Sequence, residues 1–121
     1  MLRRWLRVVA VPGSIAAGAS LLGCPGGDSV QLSEAAQRGR SVYMNVCVAC
    51  HSANPGKDGA IGPNLAGATR ELIEWRVVKG QYPPGYTPKQ ATGVMPAFPH
   101  LAAEVDALYA FIRESSEAGS E

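Results

Sequence analysis

Apolar residues recur at helical spacing in three stretches of this 121-residue chain. The first stretch follows Ser33, a favourable helix cap, and runs into Cys47. The second extends from Thr69 to Lys79, with Thr69 as its cap, and stops at Gly80. The third contains four apolar residues at helical spacing, Leu101, Val105, Leu108 and Ile112. The pattern therefore predicts three helices joined by loops rich in glycine and proline.

The amino terminus has the pattern of an export signal. Residues 1–7 carry positive charge, and residues 8–22 are apolar but interrupted by Pro12 and two glycines. This pattern is typical of a secretory signal peptide, and the apolar stretch is shorter than the ~20 residues that a membrane-spanning helix needs. The stretch ends in Leu21-Leu22-Gly23-Cys24, which resembles the lipobox of bacterial lipoproteins.

The resemblance to a lipobox implies that residues 1–23 are removed and that Cys24 is lipidated as the new first residue. Residues 24–32, which include a Pro-Gly-Gly sequence, then form a flexible tether. Two alternatives remain open: ordinary cleavage near Ala17 to Ala19, which leaves Cys24 as a free thiol, and an uncleaved anchor. The expected location is extracytoplasmic, at a membrane surface.

Composition and charge narrow the class of protein. Apolar residues make up 46% of the chain and charged residues 17%, which is typical of a folded domain and not of a disordered one. The formal net charge is +1, but from Cys24 onward eight basic residues stand against ten acidic ones, and no basic run indicates nucleic-acid binding. With 14 glycines, 9 prolines and 7% aromatic residues, a single domain of this size has a thin core, which a large apolar cofactor would strengthen.

Cys47, Cys50 and His51 form the sequence Cys-Val-Ala-Cys-His, which is the attachment motif of c-type haem. Two thiols at this spacing on a helical turn can each add to one vinyl group of the porphyrin, and the histidine that follows then lies next to the iron. Three other interpretations remain open at this point. They are a zinc site, for which only His100 offers a further histidine, a thioredoxin-like redox pair, although no alternating strand pattern surrounds the motif, and a disulfide that closes a very short loop.

The residues around this motif resemble class I mono-haem cytochrome c. In that family the first helix carries a glycine, an aromatic residue four positions later and the first haem cysteine four positions later again, and this chain has Gly39, Tyr43 and Cys47 at those steps. The resemblance implies that the last helix crosses the first at the glycine, with Leu108 and Phe111 at the contact. A glycine there permits the close approach of a second helix.

The same resemblance implies the ligands of the haem iron. His51 is the proximal ligand, and Pro63 follows it at the family spacing, so that the Pro63 carbonyl accepts a hydrogen bond from the outer ring nitrogen of His51. Met95, in a Met-Pro-Ala-Phe sequence, is the distal ligand. The competitors for the distal position are Met44, on the proximal helix, and His100, which would give a bis-histidine haem.

The resemblance covers about residues 33–113 and implies an all-α cytochrome c fold, with three main helices around one covalently bound haem c. We expect a cytochrome c domain at residues 33–114 and a flexible tail at residues 115–121. The implied function is the transfer of single electrons between a donor and an acceptor protein, without enzymatic activity, by a protein held to the membrane through its lipid. The alternatives are a haem enzyme or gas sensor with an open distal site, or the cytochrome subunit of a larger oxidoreductase.

Overall fold

The computed structural model describes residues 31–90 and 93–118. In these residues the chain forms α1 (Glu34–Val46), α2 (Arg70–Ile73) and α3 (Val105–Glu117), and no strand. A π-helical segment, Glu74–Val78, continues α2, and a 3-10 segment, Pro99–Glu104, leads into α3. The fold is therefore all-α with three main helical elements, as the sequence predicted. The expected signal peptide, the tether and Cys24 lie outside the described residues.

Helix α1 begins where the sequence predicted, because Ser33 caps it. The Ser33 Oγ accepts a hydrogen bond of 3.2 Å from the amide of Ala36, and Glu34 lies in the first turn, where a carboxylate favours the helix dipole. The helix ends at Val46, and the amide of Cys47 still donates to the carbonyl of Tyr43 at 2.8 Å. The first cysteine of the motif is thereby fixed at the end of a regular helix.

Helices α1 and α3 form the principal packing contact of the domain, and they cross at Gly39. A β-carbon placed on Gly39 would lie 2.9 Å from the amide nitrogen of Leu108 and closer still to the carbonyl group of Ala107. Near this crossing the ring of Tyr43 packs against that of Phe111, with centroids 5.1 Å apart. The contact predicted from Gly39, Leu108 and Phe111 is therefore present, because only a residue without a side chain admits the backbone of α3.

The middle helix differs from its prediction. Thr69 is the cap, as expected, and its hydroxyl accepts from the amide of Leu72 at 3.1 Å. Only Arg70–Ile73 is α-helical, however, and the chain then widens into the π-helical segment Glu74–Val78. Gly80 ends the element with a φ of +67°, a conformation that glycine adopts without strain.

The last helix also differs from its prediction, because Leu101 lies in a 3-10 segment and because α3 continues beyond residue 114. No side chain caps the start of α3 at Glu104, and the turn before it is 3-10 in form. At the other end α3 continues to Glu117, so residues 115–117, which the sequence assigned to a flexible tail, are helical. The Ser116 hydroxyl donates to the carbonyl of Ile112 at 2.6 Å, which satisfies this polar side chain within the helix.

Candidate functional site

A cavity of about 410 Å³ opens between the end of α1, the middle helix and the loops that follow them. Its wall contains five residues that the sequence selected, Cys47, Cys50, His51, Pro63 and Met95. Apolar core side chains, among them Leu108 and Ile112, form its floor. A concave, largely apolar site with a few convergent polar groups is the usual form of a cofactor site.

The Cys-x-x-Cys-His motif forms a tight turn directly after α1. The amides of Cys50 and His51 both donate to the carbonyl of Cys47, at 3.1 and 2.9 Å. Both cysteines are half-buried and form no disulfide. Burial, and after it the charge of Cys50, raises the pKa of the Cys47 thiol to about 11. The turn therefore holds two free sulfurs and one imidazole at the same wall of the cavity.

The ring of His51 is oriented by the loop that contains Pro63. Its Nδ1 lies 3.0 Å from the carbonyl oxygen of Pro63. Because a carbonyl oxygen only accepts hydrogen bonds, Nδ1 carries the proton in this contact, and Nε2 of the neutral ring keeps its lone pair. A histidine held in this way has one nitrogen available to a metal. The hydrogen bond from the other nitrogen to the carbonyl makes the available nitrogen more basic.

Glycines let this loop lie against His51. A β-carbon on Gly62 would lie 2.6 Å from Cε1 and 2.7 Å from Nδ1 of the His51 ring, and one on Gly59 would lie 2.5 Å from the Cα of His51. Backbone hydrogen bonds hold the loop in place, since the amide of Gly62 donates to Cys50 at 3.0 Å and that of Gly59 donates to Gly62 at 2.9 Å. The loop that contains Gly59 and Gly62 therefore packs closely against His51, whose imidazole ring also lines the cavity.

Met95 lies half-buried at the wall of the same cavity. Its loop is tied to the middle helix, because the amide of Phe98 donates to the carbonyl of Val77 at 2.6 Å and Arg76 donates to the carbonyl of Met95 at 3.3 Å. Thiols at haem-attachment spacing, an oriented imidazole and a thioether around one apolar cavity fit a c-type haem. When bound, such a haem supplies reversible one-electron oxidation and reduction.

The competing residues lie elsewhere. His100 is exposed, packs edge-on against Phe98 with centroids 6.1 Å apart, and is not part of the cavity wall. Met44 borders a separate groove beside Phe111. No cluster of three or more metal-binding side chains (His, Cys, Asp or Glu) occurs in the described part of the chain, so nothing there supports the zinc interpretation.

Several hydrogen bonds at the site were not found by sequence reasoning, although Tyr43 itself was selected. The Tyr43 hydroxyl donates to the carbonyl of Ser52 at 2.6 Å, and the Lys89 ammonium donates to the carbonyls of Asn64 and Ala66 at 3.1 and 2.9 Å. Arg76 bonds to two further carbonyls. These side chains stabilise the loops around the cavity through main-chain oxygens, which every residue has, so no pattern of residue types reveals them.

One of the comparisons with known proteins identifies a family for this chain. A family model described as "Cytochrome C oxidase, cbb3-type, subunit III" matches residues 34–112, a range that contains both motif cysteines, His51, Pro63 and Met95. Neither the comparison with curated proteins nor that with solved structures finds a match. The family match covers more than half of the chain and supports a covalently bound c-type haem, electron transfer and an extracytoplasmic setting. The chain therefore belongs to the family of mono-haem c-type cytochromes that this model describes.

Proposed function

We propose that this protein is a membrane-tethered cytochrome that relays single electrons through a haem ligated by His51 and Met95. The observation that carries the proposal is that His51, oriented by the Pro63 carbonyl at 3.0 Å, and Met95 line one cavity. Cys47 and Cys50 attach the haem at the same wall. The partners are a donor and an acceptor protein, and Cys24 holds the protein to the membrane through its lipid.

The proposed ligand pair accounts for an electron carrier rather than an enzyme. An iron with imidazole and thioether at its two axial positions has no position left for a substrate or a gas. Methionine as axial ligand raises the reduction potential relative to histidine. The competing distal histidine, His100, is exposed and outside the cavity wall, which favours the thioether.

The decisive experiment compares two methionines. Ferric holoprotein should show a weak absorption band at the red edge of the visible spectrum, which arises from sulfur-to-iron charge transfer. The ferrous form should bind carbon monoxide poorly. Met95→Leu should abolish the band, lower the potential and let carbon monoxide bind. Met44→Leu, the same change at a methionine on the separate groove, should leave all three properties as they are.

Three results would contradict this ligand pair. A wild-type protein that lacks the band and binds carbon monoxide readily would favour a haem enzyme or a gas sensor with an open distal site. A band that survives Met95→Leu would show that another sulfur ligates the iron. A spectrum that changes in His100→Ala but not in Met95→Leu would show a bis-histidine haem.

A second candidate is the cytochrome subunit of a larger oxidoreductase. The description of the matching family, which names a subunit of an oxidase, favours it. The two candidates differ in how the protein behaves in native membranes. A free carrier should run alone on a native gel after mild detergent extraction, whereas a subunit should run with its partners, as detected by haem staining of the same lane.

A further inference from the structure

Arg76 connects two separate loops at the cavity. It lies in the π-helical segment Glu74–Val78, is half-buried and lines the cavity wall. Its Nη1 donates to the carbonyl of Gly80 at 2.7 Å, and its Nη2 donates to the carbonyl of Met95 at 3.3 Å. One rigid guanidinium therefore fixes the distance between the end of the middle helix and the backbone of Met95.

The same guanidinium begins a stack of flat groups. Its central carbon lies 4.4 Å from the centre of the Tyr82 ring. Tyr82 in turn stacks on Tyr86, with ring centroids 5.4 Å apart and an angle of 13° between the planes. All three side chains line the cavity. Arg76 thus joins the loop of residues 80–90, through its stack, to the loop that carries Met95.

The charge of Arg76 has no counterion among the residues that the structure describes. Two exposed arginines differ from Arg76 in this respect, since Arg38 pairs with Glu104 and Arg70 pairs with Glu74 and Asp106. Every hydrogen bond of Arg76 goes to a carbonyl oxygen, which supplies a dipole but no charge. A cation without a protein counterion at the wall of a redox site favours the reduced form of the iron, which carries one positive charge less.

We propose that Arg76 is a positioning residue for Met95, and that its positive charge raises the reduction potential of the haem. The positioning part rests on the proposed ligation of the iron by Met95. Through Nη2, Arg76 holds the carbonyl of Met95 and with it the direction of the side chain. Through the stack with Tyr82 and Tyr86, it keeps the neighbouring loop closed against the cavity.

The test uses holoprotein with Arg76→Lys and Arg76→Gln. Lysine keeps the charge but loses the planar fork that reaches both carbonyls and the flat face that stacks on Tyr82. Glutamine loses the charge as well. Both variants should weaken the sulfur-to-iron band and speed amide hydrogen exchange in residues 93–98 severalfold. The two variants should differ in reduction potential, which should be clearly lower in Arg76→Gln than in Arg76→Lys.

Arg113 provides the matched control. It is exposed, lies over the ring of Tyr109 with its guanidinium carbon 5.6 Å from the ring centre, and is not part of the cavity wall. Arg113→Lys and Arg113→Gln should leave the band, the exchange of residues 93–98 and the order of potentials as in the wild type. Arg76→Gln is replaced by Arg76→Met if it does not accumulate as folded holoprotein. In that case the band and the exchange rate of Arg76→Lys test the positioning role. The reduction potential of Arg76→Lys is then compared with that of Arg76→Met, which tests the role of the charge.

The outcomes separate this inference from the proposed function. If both Arg76 variants show the band intensity and the exchange rate of the wild type, the positioning role is overturned. If Arg76→Lys and the uncharged variant have equal reduction potentials, the role of the charge is overturned. A wild-type protein without the band would instead overturn ligation by Met95, and hydrogen exchange would still show whether Arg76 holds the loop of residues 93–98.

Discussion

Two glycines bring the backbone within contact distance of His51. Gly59 approaches the main chain of His51, and Gly62 approaches its ring, both at distances that a side chain would make impossible. A histidine that must point one nitrogen at a metal needs its ring fixed, and here a hydrogen bond to Pro63 and the close approach of Gly62 restrict it together. The fixed ring is thus a property of the loop as much as of the histidine.

Gly62→Ala should therefore disturb the site without removing any ligand. The new β-carbon would lie 2.6 Å from Cε1 of His51, so the ring must move and its hydrogen bond to Pro63 must weaken. Overpacking of this kind costs about 1–3 kcal/mol of unfolding free energy. Denaturant unfolding of the holoprotein should show that loss, and the absorption spectrum should show a weakened axial field, while covalent haem staining stays unchanged.

Gly93→Ala is the control for this substitution, because a β-carbon at Gly93 meets no heavy atom of the described residues within 4 Å. It should leave the unfolding free energy within about 0.5 kcal/mol of the wild type. Equal stability and equal spectra for Gly62→Ala and the wild type would show that the loop yields easily and does not hold His51.

At the scale of single residues, the sequence predicts side chains whose own chemistry suits a haem site. It does not predict side chains whose partners are main-chain carbonyl groups. Cys47, Cys50 and His51 were selected because two thiols and an imidazole at this spacing indicate haem, and Met95 was selected because its Met-Pro-Ala-Phe segment resembles that of the family. Arg76 was missed, because its partners are carbonyls of Gly80 and Met95. Every residue has a carbonyl group, so the residue type does not indicate which carbonyl accepts a hydrogen bond. Such contacts are seen only in the three-dimensional structure.

The crossing of α1 and α3 sets the framework on which the site is built. It places the end of α1, and with it Cys47, opposite the core residues of α3. Polar contacts reinforce the crossing at the surface, since Arg38 on α1 pairs with Glu104 just before α3 at 2.6 Å. Apolar packing at Gly39 carries more weight than this ion pair, because solvent screens exposed charges and such pairs contribute little to stability.

Gly39→Ala should separate the two helices. Alanine favours a helix over glycine by about 1 kcal/mol, but the new β-carbon would overlap the Ala107 carbonyl, a backbone group that no rotamer change can move away. Because overpacking costs about 1–3 kcal/mol and sometimes more, we expect a net loss of about 2 kcal/mol in unfolding free energy. Ser41→Ala, at an exposed position of the same helix, is the control, and a Gly39→Ala protein as stable as this control would refute the close crossing.

The capping residue of α1 also ties that helix to α3 in a pH-dependent way. The Glu114 carboxylate accepts hydrogen bonds from the amide of Ser33 at 2.9 Å and from its hydroxyl at 2.7 Å. The amide bond first, and then the hydroxyl bond, lowers the pKa of Glu114 below its ordinary value. A group whose pKa falls on folding stabilises the fold above its unfolded pKa, and that stabilisation is lost as the pH falls through the folded pKa.

Wild-type protein should thus lose more unfolding free energy on acidification from pH 7 to pH 3 than Glu114→Gln does. Urea unfolding at several pH values measures the difference. Ser33→Ala and the double variant complete a cycle that separates the contact with Glu114 from the cap of α1. Parallel pH profiles for wild type and Glu114→Gln would mean that the carboxylate contributes nothing in solution.

The middle helix shows where periodicity stops being informative. The ends of this element, at Thr69 and Gly80, were predictable, because each is marked by a residue with a specific role. The π-helical segment Glu74–Val78 was not, since buried Ile73 and Val77 stand four residues apart and satisfy an α pattern equally well. Yet Arg76 lies within this wider turn, so the feature that periodicity missed bears directly on the site.

In the whole molecule the core and the cavity share a wall. Tyr43, Ile73, Val77, Leu108 and Ile112 belong to the apolar core and also line the cavity. A chain with few aromatic residues and many glycines was expected to need a large apolar cofactor, and this shared wall is where such a group adds to the core. The composition indicated that need, but only the fold shows which face of the core meets it.

Residues 31–118 have no formal net charge that would attract the folded domain to an anionic membrane. Residues 31–118 contain eight basic and eight acidic side chains, and the structure pairs several of them on its surface. Attraction to anionic lipids requires clustered basic residues, each worth about 1 kcal/mol near the surface. The described part of the chain also contains no helix with the length and apolar character to span a bilayer. The proposed attachment is through the lipid at Cys24, a residue outside the described part of the chain.

The mature protein should accordingly begin at Cys24, carry acyl chains and remain with membranes in high salt, while detergent releases it. Each buried methylene contributes about 0.8 kcal/mol, so two or more chains anchor stably where one is marginal. The control is Cys24→Ser, in which a haem-stained band should persist without acyl mass, since Cys47 and Cys50 are intact. Mass spectrometry that finds an unmodified Cys24, or a mature start before it, would refute the anchor, and so would release by salt alone. Electron relay at the haem would survive that result, but the protein would then diffuse between its partners instead of reaching them from a fixed tether.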